Sequence, residues 1–134
     1  MFSQTLFSSA RQNWKTPKIF YEKLNNEFNF DFDPCPVNPT VDGLEIEWKK
    51  RNYINPPYSE VSKWIKKGYE ESSKGKLCVF LTASRTDTRW FHDYVLPYAK
   101  EIRFIKGRLR FDDCQNSAPF PSVVIVFDGR KKNG

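Results

Sequence analysis

Asn55-Pro56-Pro57-Tyr58 is the stretch whose residue types and order are suited to chemistry. Asn55 carries one acceptor oxygen and two N–H donors. The two prolines hold φ near a single value and stiffen the turn. A stiff turn that presents an amide oxygen beside a peptide carbonyl can accept both hydrogens of an –NH₂ group. Tyr58 adds a flat face on which a planar amine can stack. The tetrad holds neither an acid nor a nucleophile, so what it offers is reception and orientation of an aromatic or amide nitrogen. A Pro-rich turn ahead of a helix would use the same four residues, and the flanking elements decide between the two.

Tyr53-Ile54 reads as a short strand running into the tetrad. Ser59 reads as the cap of a helix with Val61, Trp64, Ile65 and Tyr69 on one face and Lys63, Lys66 and Lys67 on the other. Gly75 suits the end of that helix. A strand–turn–helix of this kind places the tetrad at the carboxyl edge of a sheet, where ligands bind in open α/β folds. Upstream, Thr16 and Pro17 predict a helix start with Thr16 as N-cap, followed by Phe20, Tyr21, Leu24 and Phe28 at helical spacing. The alternating run 29–33 predicts a strand ending at Asp33, and Pro34, Pro36 and Pro39 predict a loop. Downstream, Leu77–Ala83 predicts a central buried strand. Thr86 or Asp87 predicts the cap of a third helix that buries Trp90, Phe91, Tyr94, Val95 and Tyr98. Ile102–Ile105, continued by Arg108–Phe111, and Ser122–Phe127 predict the last two strands. The sum is one α/β domain over residues 1–134, with a loose arm at 1–13 and a basic tail at 129–134. Its sheet is expected to be mostly parallel and to close with a C-terminal antiparallel hairpin.

Length and composition narrow the setting. A chain of 134 residues with 39% hydrophobic and 28% charged residues is expected to fold as one unit. No apolar run approaches membrane-span length, and the first residues lack the apolar core of a signal peptide. Three scattered cysteines and one histidine argue against a zinc cage and against a disulfide framework, so no metal and an intracellular setting are expected. The net charge of +6 is unevenly spread: residues 1–47 carry −3 and residues 48–110 carry +9. The basic middle suits a polyanion such as nucleic acid.

The tetrad resembles the Asn-Pro-Pro-Tyr motif of amino-methyltransferases that use S-adenosylmethionine. From Trp14 to Phe127 the chain is similar to one branch of these, the short phage and prophage DNA N6-adenine methyltransferases of the Dam type. The similarity runs through Trp14-Lys15-Thr16-Pro17, Phe30-Asp31-Phe32-Asp33 with Cys35, Asp42-Gly43-Leu44 and Trp48. It continues through the tetrad with Ser59, the run 82–88 with Trp90-Phe91-His92, the run 107–111 and the run 118–122. The resemblance implies a small, trimmed Rossmann-like methyltransferase sheet. It implies methyl transfer from S-adenosylmethionine to N6 of an adenine flipped out of double-stranded DNA in the bacterial cytoplasm, in a phage or restriction–modification setting. Asn55, Pro56, Pro57 and Tyr58 would then be catalytic. Trp14, Thr16, Pro17, Asp33, Cys35 and Asp42 would bind the cofactor. Arg85, Arg89, Lys106, Arg108, Arg110 and Ser122 would meet DNA.

The chain also departs from the pattern. No Gly-rich loop follows the first strand; Pro34-Cys35-Pro36-Val37-Asn38-Pro39 stands there instead. The stretch from Asp33 to Asn55 is short, and no separate recognition domain is expected. Methyl transfer to RNA adenine or protein glutamine, and a DNA-binding anti-restriction module without turnover, stay open on the residues alone, as does a homodimer.

Overall fold

The computed structural model describes residues 16–109 and 120–131. Trp14, Arg110, the arm at 1–13 and the last residues of the basic tail lie outside them. The first helix, α1 (Lys18–Phe28), buries Leu24 and rests Phe20, Tyr21 and Phe28 on the sheet. Asn29 ends it in the left-handed region at φ 56°, donating its N–H to the Asn25 carbonyl, a conformation asparagine tolerates better than most residues.

The sheet has four strands in the order β1 (Arg51–Ile54), β2 (Leu77–Ala83), β4 (Ser122–Asp128), β3 (Glu101–Phe104). β1 pairs in parallel with β2, while β4 runs antiparallel to both of its neighbours. The sheet is therefore mixed rather than mostly parallel by pairing. The C-terminal hairpin is present, but its second arm inserts between β2 and β3, so β4 meets an opposed neighbour on each side. Every residue of β2 is buried, as its continuous apolar run requires. The predicted strand at 29–33 is reduced to a single parallel bridge between Phe32 and Asn52, flanked by hydrogen bonds from Asp31 N to Arg51 O and from Tyr53 N to Phe32 O. Arg108 does not continue β3, which ends at Phe104.

Helix α2 (Val61–Ser73) follows a 3-10 turn at Tyr58–Glu60. Its N-cap is Glu60 and no side chain caps it, so Ser59 is not the cap. Gly68 lets α2 approach β2: a Cβ there would stand 2.3 Å from the Phe80 ring. Gly75, at φ +95°, ends the run after α2 as expected. The helical segment 89–98, α3, contains a π turn at Phe91–Val95. Its first turn is held by Thr88, whose Oγ1 accepts the Phe91 N–H, rather than by Thr86 or Asp87. Trp90, Phe91 and Val95 are buried as expected, but Tyr98 is exposed and rests on Tyr69 with ring centroids 4.3 Å apart.

Two apolar clusters cover the two faces of the sheet. One joins α2 and α3 to Trp48, Phe80 and Phe127. The other joins α1 to Tyr53, Leu81, Phe120 and Val124, with Tyr58 at its margin.

At the amino edge of the parallel strands a charged network ties the layers together. Glu71, 1% exposed, accepts the Trp48 N–H at 2.8 Å and Lys76 Nζ at 2.5 Å, with Lys74 Nζ at 3.0 Å. Burial alone would raise its pKa, but these donors prevail and hold it down to about 2.

Candidate active site

β1 delivers the tetrad to the carboxyl edge of the sheet. Tyr53 and Asn55 are two residues apart in extended chain, so they point to the same face. There they converge on Thr16, at the entry to α1. Thr16 Oγ1 lies 2.6 Å from the Tyr53 hydroxyl, and Asn55 Nδ2 donates to the same Oγ1 at 3.3 Å. Thr16 is not the helix cap expected of it: the N-cap is Pro17 and no side chain caps α1. The Thr16 hydroxyl is spent instead on orienting Asn55. With its nitrogen directed to Thr16, the amide turns its oxygen the other way. Tyr53, 2% exposed, has its pKa raised by burial and remains a protonated phenol.

Asp33 stands one rung along from the Phe32–Asn52 bridge, beside Tyr53 on the same edge. Its Oδ1 accepts the Cys35 N–H at 2.8 Å. The protein packed around the carboxyl pushes its pKa up to about 6, although the residue keeps an open side through which water takes back part of that shift. The loop from Pro34 folds into a tight return. Cys35 is buried in the core, and Gly43 passes so close to the Pro34 carbonyl that a Cβ would stand 1.9 Å from its oxygen. The Gly43 carbonyl in turn accepts the Trp48 indole N–H at 2.8 Å. Asp42 is exposed, and its Oδ1 accepts the Leu44 N–H within its own turn.

Pro56 and Pro57 are buried, whereas Asn55 and Tyr58 are half-buried. Tyr58 is held from two sides. The Arg85 guanidinium donates to its hydroxyl at 2.8 Å and lies 5.4 Å over its ring, and Phe120 packs at 4.8 Å between centroids. Arg85 comes from the turn after β2. That turn is braced by Ser84 N on Pro121 O, Thr88 Oγ1 on Arg85 O, and a His92 Nε2 contact of 2.7 Å with Thr86 O. Beside the ring opens a cleft of about 400 Å³ lined by Tyr58, Val61, Ala83, Arg85, Thr88 and Trp90. The edge thus carries two sets of residues. One is polar, Asp33, Thr16 and Asn55; the other lines the largely apolar cleft, with the Arg85 guanidinium at its side.

Of the residues expected to meet DNA, Arg85 and Arg89 are exposed near this cleft, and Lys106 and Arg108 are exposed beyond the same end of β3. Ser122 does not belong with them. It begins β4 opposite Ala83, is 1% exposed, and among the described residues its buried hydroxyl has no hydrogen-bond partner. Sequence reasoning missed Tyr53, although the two-residue spacing to Asn55 carried the signal. It also missed the link from Arg85 to Tyr58, which no local pattern encodes. Among the described residues, no group of three or more His, Cys, Asp or Glu could hold a metal ion, and no helix is long and apolar enough to cross a membrane. No curated protein matches the chain. Residues 3–128 match the model of one protein family, described as DNA N-6-adenine-methyltransferase (Dam).

Proposed function

The chain belongs to the DNA N-6-adenine-methyltransferase family, and from that premise we propose that it transfers a methyl group from S-adenosylmethionine to N6 of an adenine flipped out of duplex DNA. The observation that carries this reading is the anchored Asn55 amide, fixed by Thr16 at the mouth of a double-proline turn beside Tyr58. In this reading Asn55 Oδ1 and the Pro56 carbonyl accept the two hydrogens of N6. That draws its lone pair out of the ring. As positive charge grows on the nitrogen, these acceptors stabilise it more than they stabilise the ground state. Tyr58, steadied by Arg85 and Phe120, stacks on the flipped base. The methylated, positively charged nitrogen is acidic enough to lose its proton to water, so no general base is required of the chain.

The polar set of residues fits the cofactor. Asp33 is a carboxylate crowded by protein, and among the described residues no cation pairs with it. A ligand that brings an ammonium or sulfonium charge and hydroxyl donors would satisfy it. Asp33 and Thr16 would hold that ligand from the sheet edge, with Pro17, Cys35 and Asp42 shaping its surroundings; Trp14 belongs to the same proposal. When bound, S-adenosylmethionine supplies an electrophilic methyl on a sulfonium. The chain reads as a trimmed Rossmann-like unit whose short loop of prolines replaces a Gly-rich one. The resemblance to phage and prophage enzymes makes modification of DNA in a bacterial host the setting we propose, with Arg85, Arg89, Lys106, Arg108 and Arg110 on phosphates and a short or relaxed target. DNA binding should then weaken steeply as salt rises.

The test is transfer of labelled methyl to DNA, RNA and protein offered side by side, with wild type, Asn55→Ala and Tyr58→Ala. Label should appear at adenine N6 in DNA and fall roughly 100-fold or more in folded Asn55→Ala. Label on RNA or protein alone, or near-normal turnover in Asn55→Ala, would overturn the assignment.

A further inference from the structure

The register of the sheet gathers a second set of cations far from Tyr58. Arg51 pairs with Leu77, Leu77 with Asp128, and Glu101 with Val126. The starts of β1, β2 and β3 and the end of β4 therefore share the amino edge. Lys49, Lys50 and Arg51 precede or begin β1, Lys74 and Lys76 precede β2, Lys100 precedes β3, and Arg130 and Lys131 follow β4. These eight cations span the whole width of the sheet, on the order of 15 Å at the spacing of neighbouring strands. The acids among them are Asp31, Glu47, Glu70, Glu71 and Asp128; Glu101 is engaged by Arg103, which also binds Glu27.

The acids are positioned to organise the cations rather than to cancel them. Asp128 receives Arg130 through two contacts of 2.9 Å and Lys100 at 3.4 Å, so one carboxylate holds two cations at the rim of a hollow of about 480 Å³ that Lys131 completes. Glu71 is buried and gathers Lys74 and Lys76 in the same way. Among the described residues, Lys49, Lys50 and Lys131 form no ion pair, and all three are exposed. The edge is thus a strip of net positive charge, held in place by its own acids. It faces away from the candidate active site by the length of β2, seven residues, or roughly 20 Å.

We propose that this amino edge is a second DNA-binding surface, which takes the phosphate backbone of a duplex segment other than the one at the cleft. A straight duplex laid against the carboxyl edge cannot reach the opposite one, so contact with both requires two segments and the protein bridges them. This rests on the reading that DNA is the ligand of the cleft, but it does not depend on methyl transfer.

The experiment uses the full chain on an immobilised short duplex and measures capture of a second, fluorescent duplex. The comparison is wild type against a Lys49→Gln, Lys50→Gln, Lys131→Gln variant. Wild type should capture the second duplex. The variant should lose that capture by about tenfold or more near physiological salt, with a salt slope lower by up to about 2.7, since each neutralised phosphate contributes about 0.9. Its methyl transfer to a short duplex should stay within about twofold. Wild type that never holds two duplexes would overturn the proposal. So would a variant that bridges as well as wild type, the outcome expected if two copies bridge through their clefts. Capture of anionic vesicles or duplex RNA in preference to DNA would also overturn it. Bridging without methyl transfer would leave this surface standing and remove the catalytic reading alone.

Discussion

Replacing Thr16 by valine tests whether the Asn55 amide is held by the start of α1. The substitution keeps shape and removes the oxygen that lies 2.6 Å from the Tyr53 hydroxyl and accepts Asn55 Nδ2 at 3.3 Å. Tyr53 is 2% exposed, so its hydroxyl has little access to replacement water. A buried hydroxyl left without a partner costs about 1–3 kcal/mol, and Thr16→Val should destabilise the fold by that amount. Tyr53→Phe removes the other end of the contact and leaves only half-buried Thr16 to be rehydrated, for about 1 kcal/mol. The double variant should then be less destabilised than the sum of the two, because no orphan remains. Function should sort differently. Tyr53→Phe leaves Thr16 in place for Asn55 and should keep most methyl transfer. Thr16→Val removes one contact that orients the amide, and the rate should fall toward, without exceeding, the roughly 100-fold expected for losing an aligned hydrogen-bonding group. Thr16→Ser, which keeps the hydroxyl, should recover the rate. Urea unfolding and initial rates on a short duplex with saturating cofactor measure both quantities. Wild-type turnover in Thr16→Val, or an equal loss in Tyr53→Phe, would show that the contact orients nothing.

Asp33→Asn should abolish cofactor binding while raising the urea midpoint at pH 7. A carboxyl whose folded pKa is raised by burial destabilises the fold once pH exceeds its unfolded value, and the amide removes that charge. In wild type, cofactor affinity should fall as pH drops from about 6 toward the ordinary carboxylate value near 4, the span within which Asp33 takes up its proton; a flat calorimetric profile would refute the role. Glu71→Gln should cost about 3 kcal/mol, because it leaves Lys76 and Lys74 without their buried carboxylate. The Glu71 pKa is depressed, so its stabilisation is present above the unfolded value of 4.5 and is lost as pH falls toward about 2. Acid unfolding monitored by circular dichroism should therefore begin at higher pH in wild type than a Glu71-independent fold would allow, and the Glu71→Gln curve should be flatter over that window. Arg85→Gln should slow methyl transfer with little change in the urea midpoint, since its contacts to Tyr58 are exposed; an equal loss of stability would make it a structural residue.

The local code of the sequence determined the parts whose physics is local. An unbroken apolar run made β2 central and buried, and the double proline after a strand placed the tetrad at a strand end. Helical spacing of Phe20, Tyr21, Leu24 and Phe28 made α1, and Gly75 stopped the run after α2. Periodicity reports which face is apolar, and proline and glycine report which backbone angles are allowed; both act within a few residues. Tertiary structure alone decided what depends on partners distant in the chain. Thr16 satisfies a cap preference on paper, yet its hydroxyl bonds residues 37 and 39 positions away, because a contact that orders a buried phenol outweighs an exposed cap. Asp33, a strand end by its sequence pattern, acquires a raised pKa only when the folded chain packs around its carboxyl. Ser122, polar by type, is buried because it opens an interior strand whose first six residues are all covered. The division of the basic middle into two opposite edges likewise follows from strand order. Net charge is additive along a chain, whereas the direction in which each charge points is set by the sheet that carries it.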